Sequence, residues 1–132
     1  MDKMSIIETL TQEKDRLSGI IHDTEKRLSK APEGAVRIIK HRNGYQYYFR
    51  KDSSEKTGKY MPKSEYKKAV DLMQKKYDLQ IKTAAEKQYS VINHFLTGYD
   101  PEILKRIYVS LSEPRRNCIL PVEISDEEYS QR

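Results

Sequence analysis

The side chains best suited to binding chemistry lie in two short runs, VRIIKHR (residues 36–42) and YQYYFRK (residues 45–51). β-Branched and aromatic residues favour strands, and the Asn43-Gly44 pair between the runs favours a two-residue type I′ turn. The pattern therefore predicts an antiparallel β-hairpin over residues 36–51. The expected opposite pairs are Arg42 with Tyr45, Lys40 with Tyr47, Ile38 with Phe49 and Arg37 with Arg50.

Alternation along these strands separates an apolar face from a basic and aromatic face. The apolar face, which we expect to pack inward, holds Val36, Ile38, Tyr47 and Phe49. The opposite face, which also holds Ile39, is expected to bind through Arg37, His41, Gln46, Tyr48 and Arg50. Arginine and glutamine can read base edges, and a tyrosine ring can stack on a base. The face therefore predicts a contact with nucleic acid.

The positive charge of the chain is concentrated in the same segment. The chain carries +5 overall, whereas residues 36–76 carry 12 basic and 4 acidic side chains, a net +8, together with five of the ten tyrosines. A local field of this kind usually faces a polyanion, although a solvated basic surface is the alternative. We expect phosphate contacts from the basic residues around the hairpin: Lys40, Arg42, Lys51, Lys59 and Lys63.

Catalytic and metal-binding patterns are scarce by comparison. His22, His41 and His94 stand alone, and the sequence has no CxxC or HExxH spacing. Glu65-Tyr66-Lys67 matches half of a nuclease signature but falls at a predicted helix start. Cys118 has no positioned base that would make it a nucleophile. The sequence therefore predicts no enzymatic activity, no cofactor and no metal.

An amphipathic, coiled-coil-like helix is predicted over residues 1–30. Its apolar side chains fall on heptad positions, with Lys14 and Thr24 interrupting the seam. Such a seam needs a partner helix, either in the same chain or in a second copy, and both alternatives stay open. In a homodimer the interface would consist of Ile7, Leu10, Leu17, Ile21 and Leu28.

A second, longer helix is expected to cover the hairpin. Residues 59–61 can add a short third strand, and the helix is predicted to run from an N-cap at Ser64 to a stop at Gly98. Its predicted apolar stripe consists of Tyr66, Val70, Met73, Tyr77, Ile81, Ala84, Val91 and Phe95. Further helix starts are predicted at Asp100-Pro101, at Ser112-Glu113-Pro114 and at residues 125–128, with an extended segment over residues 120–124.

The predicted fold class is α+β and mostly helical, with long helices and a small two- to three-stranded antiparallel sheet. Its parts are the N-terminal helix (1–30), a hairpin and long-helix module (35–98) and short C-terminal helices with a tail (100–132), packed as one unit. No apolar run reaches the ~18 residues of a membrane span, and the N-terminus lacks a secretory signal pattern. A single cysteine fits a reducing compartment, so a cytoplasmic location without membrane contact is expected.

The order of basic strand, tight turn, aromatic strand, short strand and helix resembles the three-stranded arm-type DNA-binding domain of tyrosine recombinases. The matching residues are Asn43-Gly44-Tyr45, Lys59-Tyr60 and the helix from Ser64. In that family the face of the sheet lies in the major groove. The resemblance therefore implies DNA binding, with DNA favoured over RNA.

Four segments, NGYQYYFRKD, GKYMPK, LTGYDPEILKRIYVSLS and ISDEEY, resemble the N-terminal half of an uncharacterised bacterial and prophage-associated family. Members of that family continue into a PD-(D/E)xK nuclease-like domain. The chain ends before such a domain would begin, so the resemblance implies an accessory or targeting module without catalytic residues.

Two functional hypotheses follow. The first is a nucleic-acid-binding accessory module that uses the basic hairpin. The alternative is a small protein from a phage or other mobile element that inhibits a nucleic-acid-guided nuclease, in the manner of an anti-CRISPR protein. In that case the partner would be a nucleic-acid-processing protein complex, and the basic surface would compete for guide, target or an acidic patch.

Overall fold

The computed structural model describes residues 4–52 and 54–122. It is α+β and mostly helical, with a three-stranded antiparallel sheet, as the sequence predicted. In chain order the elements are α1 (Ile6–Ser29), β1 (Ala35–His41), β2 (Gly44–Arg50), β3 (Lys59–Met61), a 3₁₀ turn (Lys63–Glu65), α2 (Tyr66–Gly98), α3 (Ile103–Ser110) and α4 (Glu113–Cys118). The chain divides into two compact units, Met1–His94 and Phe95–Arg132. No helix in the described ranges combines the length and apolarity needed to cross a membrane.

Helix α1 begins with a reciprocal cap. Ser5 Oγ accepts from the backbone N–H of Glu8 at 3.1 Å, and Glu8 Oε2 accepts from the backbone N–H of Ser5 at 3.4 Å. This capping box satisfies two donors that the first helical turn leaves without partners, and the Glu8 carboxylate suits the positive end of the helix dipole. The helix ends at Ser29, three residues before Pro32.

Helices α1 and α2 run antiparallel in the first unit. Three contacts show this, because residue numbers fall along α2 as they rise along α1. Lys14 Nζ lies 5.3 Å from the centre of the Tyr89 ring. Glu25 Oε1 lies 3.7 Å from Lys82 Nζ, and Arg27 Nη2 lies 3.0 Å from Asp78 Oδ1. Leu17 on α1 and Ala85 on α2 are buried. The apolar seam of α1 therefore has a partner helix within the chain.

The two polar residues of the α1 seam, Lys14 and Thr24, both find favourable contacts in the structure. Thr24 is buried, and its hydroxyl donates to the backbone oxygens of Ile20 and Ile21 at 2.9 Å. Lys14 places its ammonium over the Tyr89 ring, a favourable cation–π arrangement. The residues predicted for a dimer interface are Leu17, which is buried, and Ile7, Leu10, Ile21 and Leu28, which are half-buried. Homodimerisation stays a prediction.

The predicted hairpin forms, but the pairing of β1 with β2 is shifted by two residues from the predicted register. The turn residues are Arg42 and Asn43, and Gly44 is already in β2, opposite His41. A type I′ turn needs a positive φ at both central residues, whereas among the described residues only glycines have one, with Gly44 at 134°. The predicted Asn43-Gly44 turn and its opposite pairs are therefore wrong. The observed pairs include Ala35 with Arg50, Arg37 with Tyr48, Ile39 with Gln46 and Lys40 with Tyr45.

The inner face of the sheet packs on the first part of α2. Val36, Tyr47 and Phe49 lie against a core that consists of Met61, Ala69 and Leu72. An even shift in register leaves each side chain on its predicted face, so the inward packing of these three residues is confirmed. Ile38 is the exception, since it is 47% exposed. It lies on the edge strand β1, two residues nearer the turn than Val36.

The predicted apolar stripe of α2 is wrong. The buried residues are Ala69, Leu72, Asp78 and Ala85, whereas Tyr77 and Val91 are 57% and 65% exposed. The buried side chains of α2 are two alanines, one leucine and one paired carboxylate, so the predicted stripe of other large apolar side chains falls on another face. The predicted Ser64 N-cap is also wrong, because Ser64 lies inside a 3₁₀ turn that follows Pro62. The predicted stop at Gly98 is confirmed.

The second unit contains α3 and α4. The Phe95 and Tyr99 rings stack with their centres 4.8 Å apart. Asp100 Oδ1 accepts from the backbone N–H of Glu102 at 3.0 Å, but α3 begins only at Ile103, so the helix starts two residues later than predicted. Ser112 precedes α4 as predicted. The predicted helix start at residues 125–128 lies outside the described residues, as does the end of the predicted extended segment.

Candidate nucleic-acid interface

The sheet presents a second face, opposite the one that packs on α2, which we call the outer face. By strand alternation it holds Arg37, Ile39, His41, Gln46, Tyr48, Arg50 and, on β3, Tyr60. All five residues predicted to bind through this face are on it. Tyr60 was not predicted, although its alternation with the buried Met61 on a predicted third strand was a usable signal.

One row of the outer face crosses all three strands. Arg37 is opposite Tyr48, and Tyr48 is opposite Tyr60. The two tyrosine rings meet edge to face with centres 5.7 Å apart, and Tyr48 donates its hydroxyl hydrogen to Gln46 Oε1 at 3.0 Å. These contacts hold the Tyr48 ring in one orientation. The Gln46 amide nitrogen, which this bond does not use, can donate to a ligand.

The loop between β2 and β3 orients both arginines of the outer face. Arg37 Nη1 donates to the backbone oxygen of Thr57 at 3.3 Å, and Arg50 Nε donates to that of Glu55. Glu55 in turn accepts from the backbone N–H of Lys51 at 2.9 Å. A guanidinium held in place loses less conformational entropy when it binds a ligand.

The same loop also carries negative charge. Hydrogen bonds from the side chain and backbone N–H of Ser54 hold the pKa of Asp52 below its ordinary value, and the positive charge of Arg50 acts in the same direction. Asp52 is therefore ionised at neutral pH. The loop thus places an acidic side chain near Arg50, at the end of the sheet away from the hairpin turn.

The predicted phosphate-binding residues surround the sheet on several sides. Arg42 is in the hairpin turn, Lys51 follows β2, and Lys63 begins the 3₁₀ turn. Lys40 and Lys59 lie on the inner-face side by strand alternation, opposite Tyr45 and Phe49 respectively. All five predicted phosphate ligands are exposed. The side chains suited to contact bases therefore share the outer face, whereas those suited to contact phosphates are distributed around the sheet.

A pocket that the sequence did not predict lies at the end of β3. It has a volume of about 430 Å³, and we call it the tyrosine pocket because its walls include Tyr45, Tyr47, Tyr60 and Tyr66 together with the polar residues Gln46 and Lys63. The pocket lies where β3 pairs only with residues 47–49 of β2, so Tyr45 and Gln46 extend beyond it. Tyr47 and Tyr66 meet edge to face, with ring centres 5.7 Å apart.

Asp78 is a buried carboxylate, but its contacts are structural. Arg27 donates to both of its oxygens and Gln74 to one of them, and these bonds hold the pKa of Asp78 below its ordinary value despite burial. A buried carboxylate held by three hydrogen bonds, with a lowered pKa, is a weak base. Within the described ranges, no group of three or more His, Cys, Asp or Glu side chains is arranged to hold a metal ion.

Comparison with protein-family models, with curated proteins and with solved structures finds no match to this chain. The resemblances to tyrosine recombinases and to the prophage-associated family stay predictions.

Proposed function

We propose that the protein is a nucleic-acid-binding accessory module without catalytic activity of its own, with the outer face as its contact surface. One observation carries this proposal. Two arginines, a histidine, a glutamine and a tyrosine occupy one side of a sheet whose other side packs on α2. Any antiparallel sheet can have one packed and one solvated face. What favours a binding surface here is that the outer face combines basic, amide and aromatic side chains and that none of its strand residues is acidic.

The chemistry of these side chains suits a nucleic acid. The guanidinium group of Arg37 can donate two parallel hydrogen bonds to a guanine edge or to a phosphate, and Arg50 adds positive charge on the same face. The Gln46 amide can bond a base, and the fixed Tyr48 ring offers a surface for stacking. Basic side chains around the sheet would neutralise phosphates, in line with the net +8 of residues 36–76. DNA is favoured over RNA.

A salt titration of binding tests this proposal. Fluorescence anisotropy of a labelled DNA oligonucleotide would be followed from about 50 to 400 mM salt, where log affinity should fall linearly with log salt. The variant Arg37→Ala/Arg50→Ala is expected to bind at least about tenfold more weakly at low salt, with a slope reduced by about two.

A control variant, Lys26→Ala/Lys87→Ala, removes the same charge from exposed positions on α1 and α2. It should change affinity less than about threefold, because neither residue is part of the sheet or its loops. Equal loss in both double variants would mean that net charge alone drives binding. Absence of binding at low salt would contradict the proposal and favour the alternative, recognition of a nucleic-acid-processing protein.

A further inference from the structure

We infer that the tyrosine pocket receives an unstacked base, so that the nucleic acid is single-stranded where it meets the start of α2. This inference rests on the proposed function and specifies the form of the ligand. It starts from the tyrosines of the pocket. Three of the four rings that line it, those of Tyr45, Tyr60 and Tyr66, are 60%, 52% and 52% exposed.

Exposed rings around a concave space are suited to a flat aromatic ligand. Each base has a π face, so stacking on tyrosine tolerates any sequence. The contact between Tyr47 and Tyr66 fixes one wall of the pocket, joining β2 to the first residue of α2. Tyr45 on β2 and Tyr60 on β3 also line the pocket. A base entering the pocket would cover apolar ring surface that is otherwise exposed to water.

The pocket shares two residues with the outer face. Gln46 and Tyr60 belong to both, since each lies on the outer face by strand alternation and also lines the pocket. A strand that crosses the outer face therefore reaches the mouth of the pocket. Lys63 in the pocket wall supplies a positive charge for the phosphate of the inserted nucleotide.

A duplex does not meet these requirements. Its bases are paired and stacked, and a base enters a pocket only after it has been unstacked and unpaired. Unpaired bases also expose the Watson–Crick edge, which the Gln46 amide nitrogen can contact. A proline-rich peptide is the other ligand that aromatic grooves bind, but its recognition does not require the surrounding positive charge. The two residues shared with the outer face and the net +8 of residues 36–76 favour a nucleic acid.

The test compares a single strand with a duplex on the full chain. The probes are a labelled oligothymidine of about 12 nucleotides and a duplex of the same length. Tyr45→Leu and Tyr66→Leu are expected to weaken single-strand binding about fivefold to a hundredfold, with an unchanged salt slope because no charge is lost. Duplex affinity should change less than about twofold. The matched control is Tyr77→Leu, which removes a tyrosine of α2 that is 57% exposed and outside the pocket.

A second measurement reports stacking directly. A strand with a single 2-aminopurine should lose fluorescence on binding to the wild type and to Tyr77→Leu, and should keep it with Tyr45→Leu. Wild-type affinity of both pocket variants for the single strand would overturn the inference, as would equal affinity of the wild type for strand and duplex. So would a proline-rich peptide whose binding depends on Tyr45 while oligothymidine binding does not.

These outcomes separate the inference from the proposed function. If Arg37→Ala/Arg50→Ala loses binding while the pocket variants bind normally, the outer face is supported as the contact surface and binding of a base in the tyrosine pocket is contradicted. If the pocket variants lose binding while the arginine variant binds as the wild type, the pocket stands and the outer face is not the main contact surface.

Discussion

Arg27 and Asp78 join α1 to α2 through two parallel hydrogen bonds. Arg27 Nε and Nη2 each donate to a different carboxylate oxygen of Asp78, both at 3.0 Å, and Gln74 Nε2 donates to Oδ1 at 2.9 Å. Asp78 is 1% exposed, whereas the side chain of Arg27 is 53% exposed. The carboxylate is therefore the group that loses its water, and the guanidinium keeps much of its own.

This asymmetry predicts which of two substitutions lowers the free energy of unfolding more. Arg27→Met leaves a buried carboxylate with Gln74 as its main partner, whereas Asp78→Asn leaves an arginine that can turn to water. Urea unfolding at neutral pH should therefore show a larger loss of unfolding free energy for Arg27→Met. Equal losses, or a larger loss for Asp78→Asn, would contradict this account.

The same pair predicts a pH dependence. The hydrogen bonds from Arg27 are the largest cause that lowers the pKa of Asp78 below 3.8, so the native state favours the ionised carboxylate. The resulting stability is complete above the unfolded value of about 3.9 and is lost as pH falls through the lower native pKa. The difference in unfolding free energy between wild type and Arg27→Met should shrink below about pH 4. A difference that stays constant down to about pH 2 would contradict this assignment.

Substitution of Gly34 by alanine is expected to destabilise the protein, whereas the same substitution at Gly19 is expected to stabilise it. Gly34 has a φ of 101°, and an added Cβ would meet the edge of the Phe49 ring and lie 2.9 Å from the backbone oxygen of Arg50. Gly34→Ala should therefore lower the unfolding free energy by about 2 kcal/mol or more. Gly19 lies inside α1 with open space at its Cβ, so Gly19→Ala should raise it by roughly 0.5–1 kcal/mol. Thermal unfolding of both variants checks the opposite signs.

Lys75 holds the segment between α1 and β1 against α2. Its ammonium donates to the backbone oxygens of Pro32 at 3.0 Å and Gly34 at 3.2 Å. Lys75→Met keeps the apolar stem but leaves two half-buried carbonyls without this donor, so a loss of about 1–2 kcal/mol is expected. The neighbouring Lys76 is exposed, and Lys76→Met should change stability by less than about 0.5 kcal/mol. Equal effects in chemical denaturation would count against this role for Lys75.

The faces of the sheet could be predicted from the sequence, but the register could not. Side-chain alternation has a period of two, so the two-residue shift at Arg42-Asn43 leaves every side chain on its predicted face. The shift itself depends on which residue takes the positive φ, and here it is Gly44 after the turn rather than within it. The Asn-Gly signal located the hairpin correctly and its turn incorrectly.

Tertiary packing explains why the buried residues of α2 were predicted wrongly and why the tyrosine pocket was not predicted. The buried stripe of α2 includes Asp78, whose burial is tolerated because Arg27 lies opposite on α1, 51 residues away in sequence. The pocket depends on β3 ending at Met61, opposite Tyr47, so that Gln46 and Tyr45, the preceding two residues of β2, have no partner on β3. Neither feature is visible in local periodicity, since each is set by elements distant in sequence.

Amide chemical shifts test most directly whether the outer face is the surface that contacts nucleic acid. A ¹⁵N-labelled full chain would be titrated with a single-stranded DNA oligonucleotide at low salt. The largest shift changes are predicted for Arg37, His41, Gln46, Tyr48 and Arg50, with α3 as the internal reference that stays unchanged. Changes concentrated on α1 or α3, or no changes at low salt, would contradict the outer face as a nucleic-acid-binding surface.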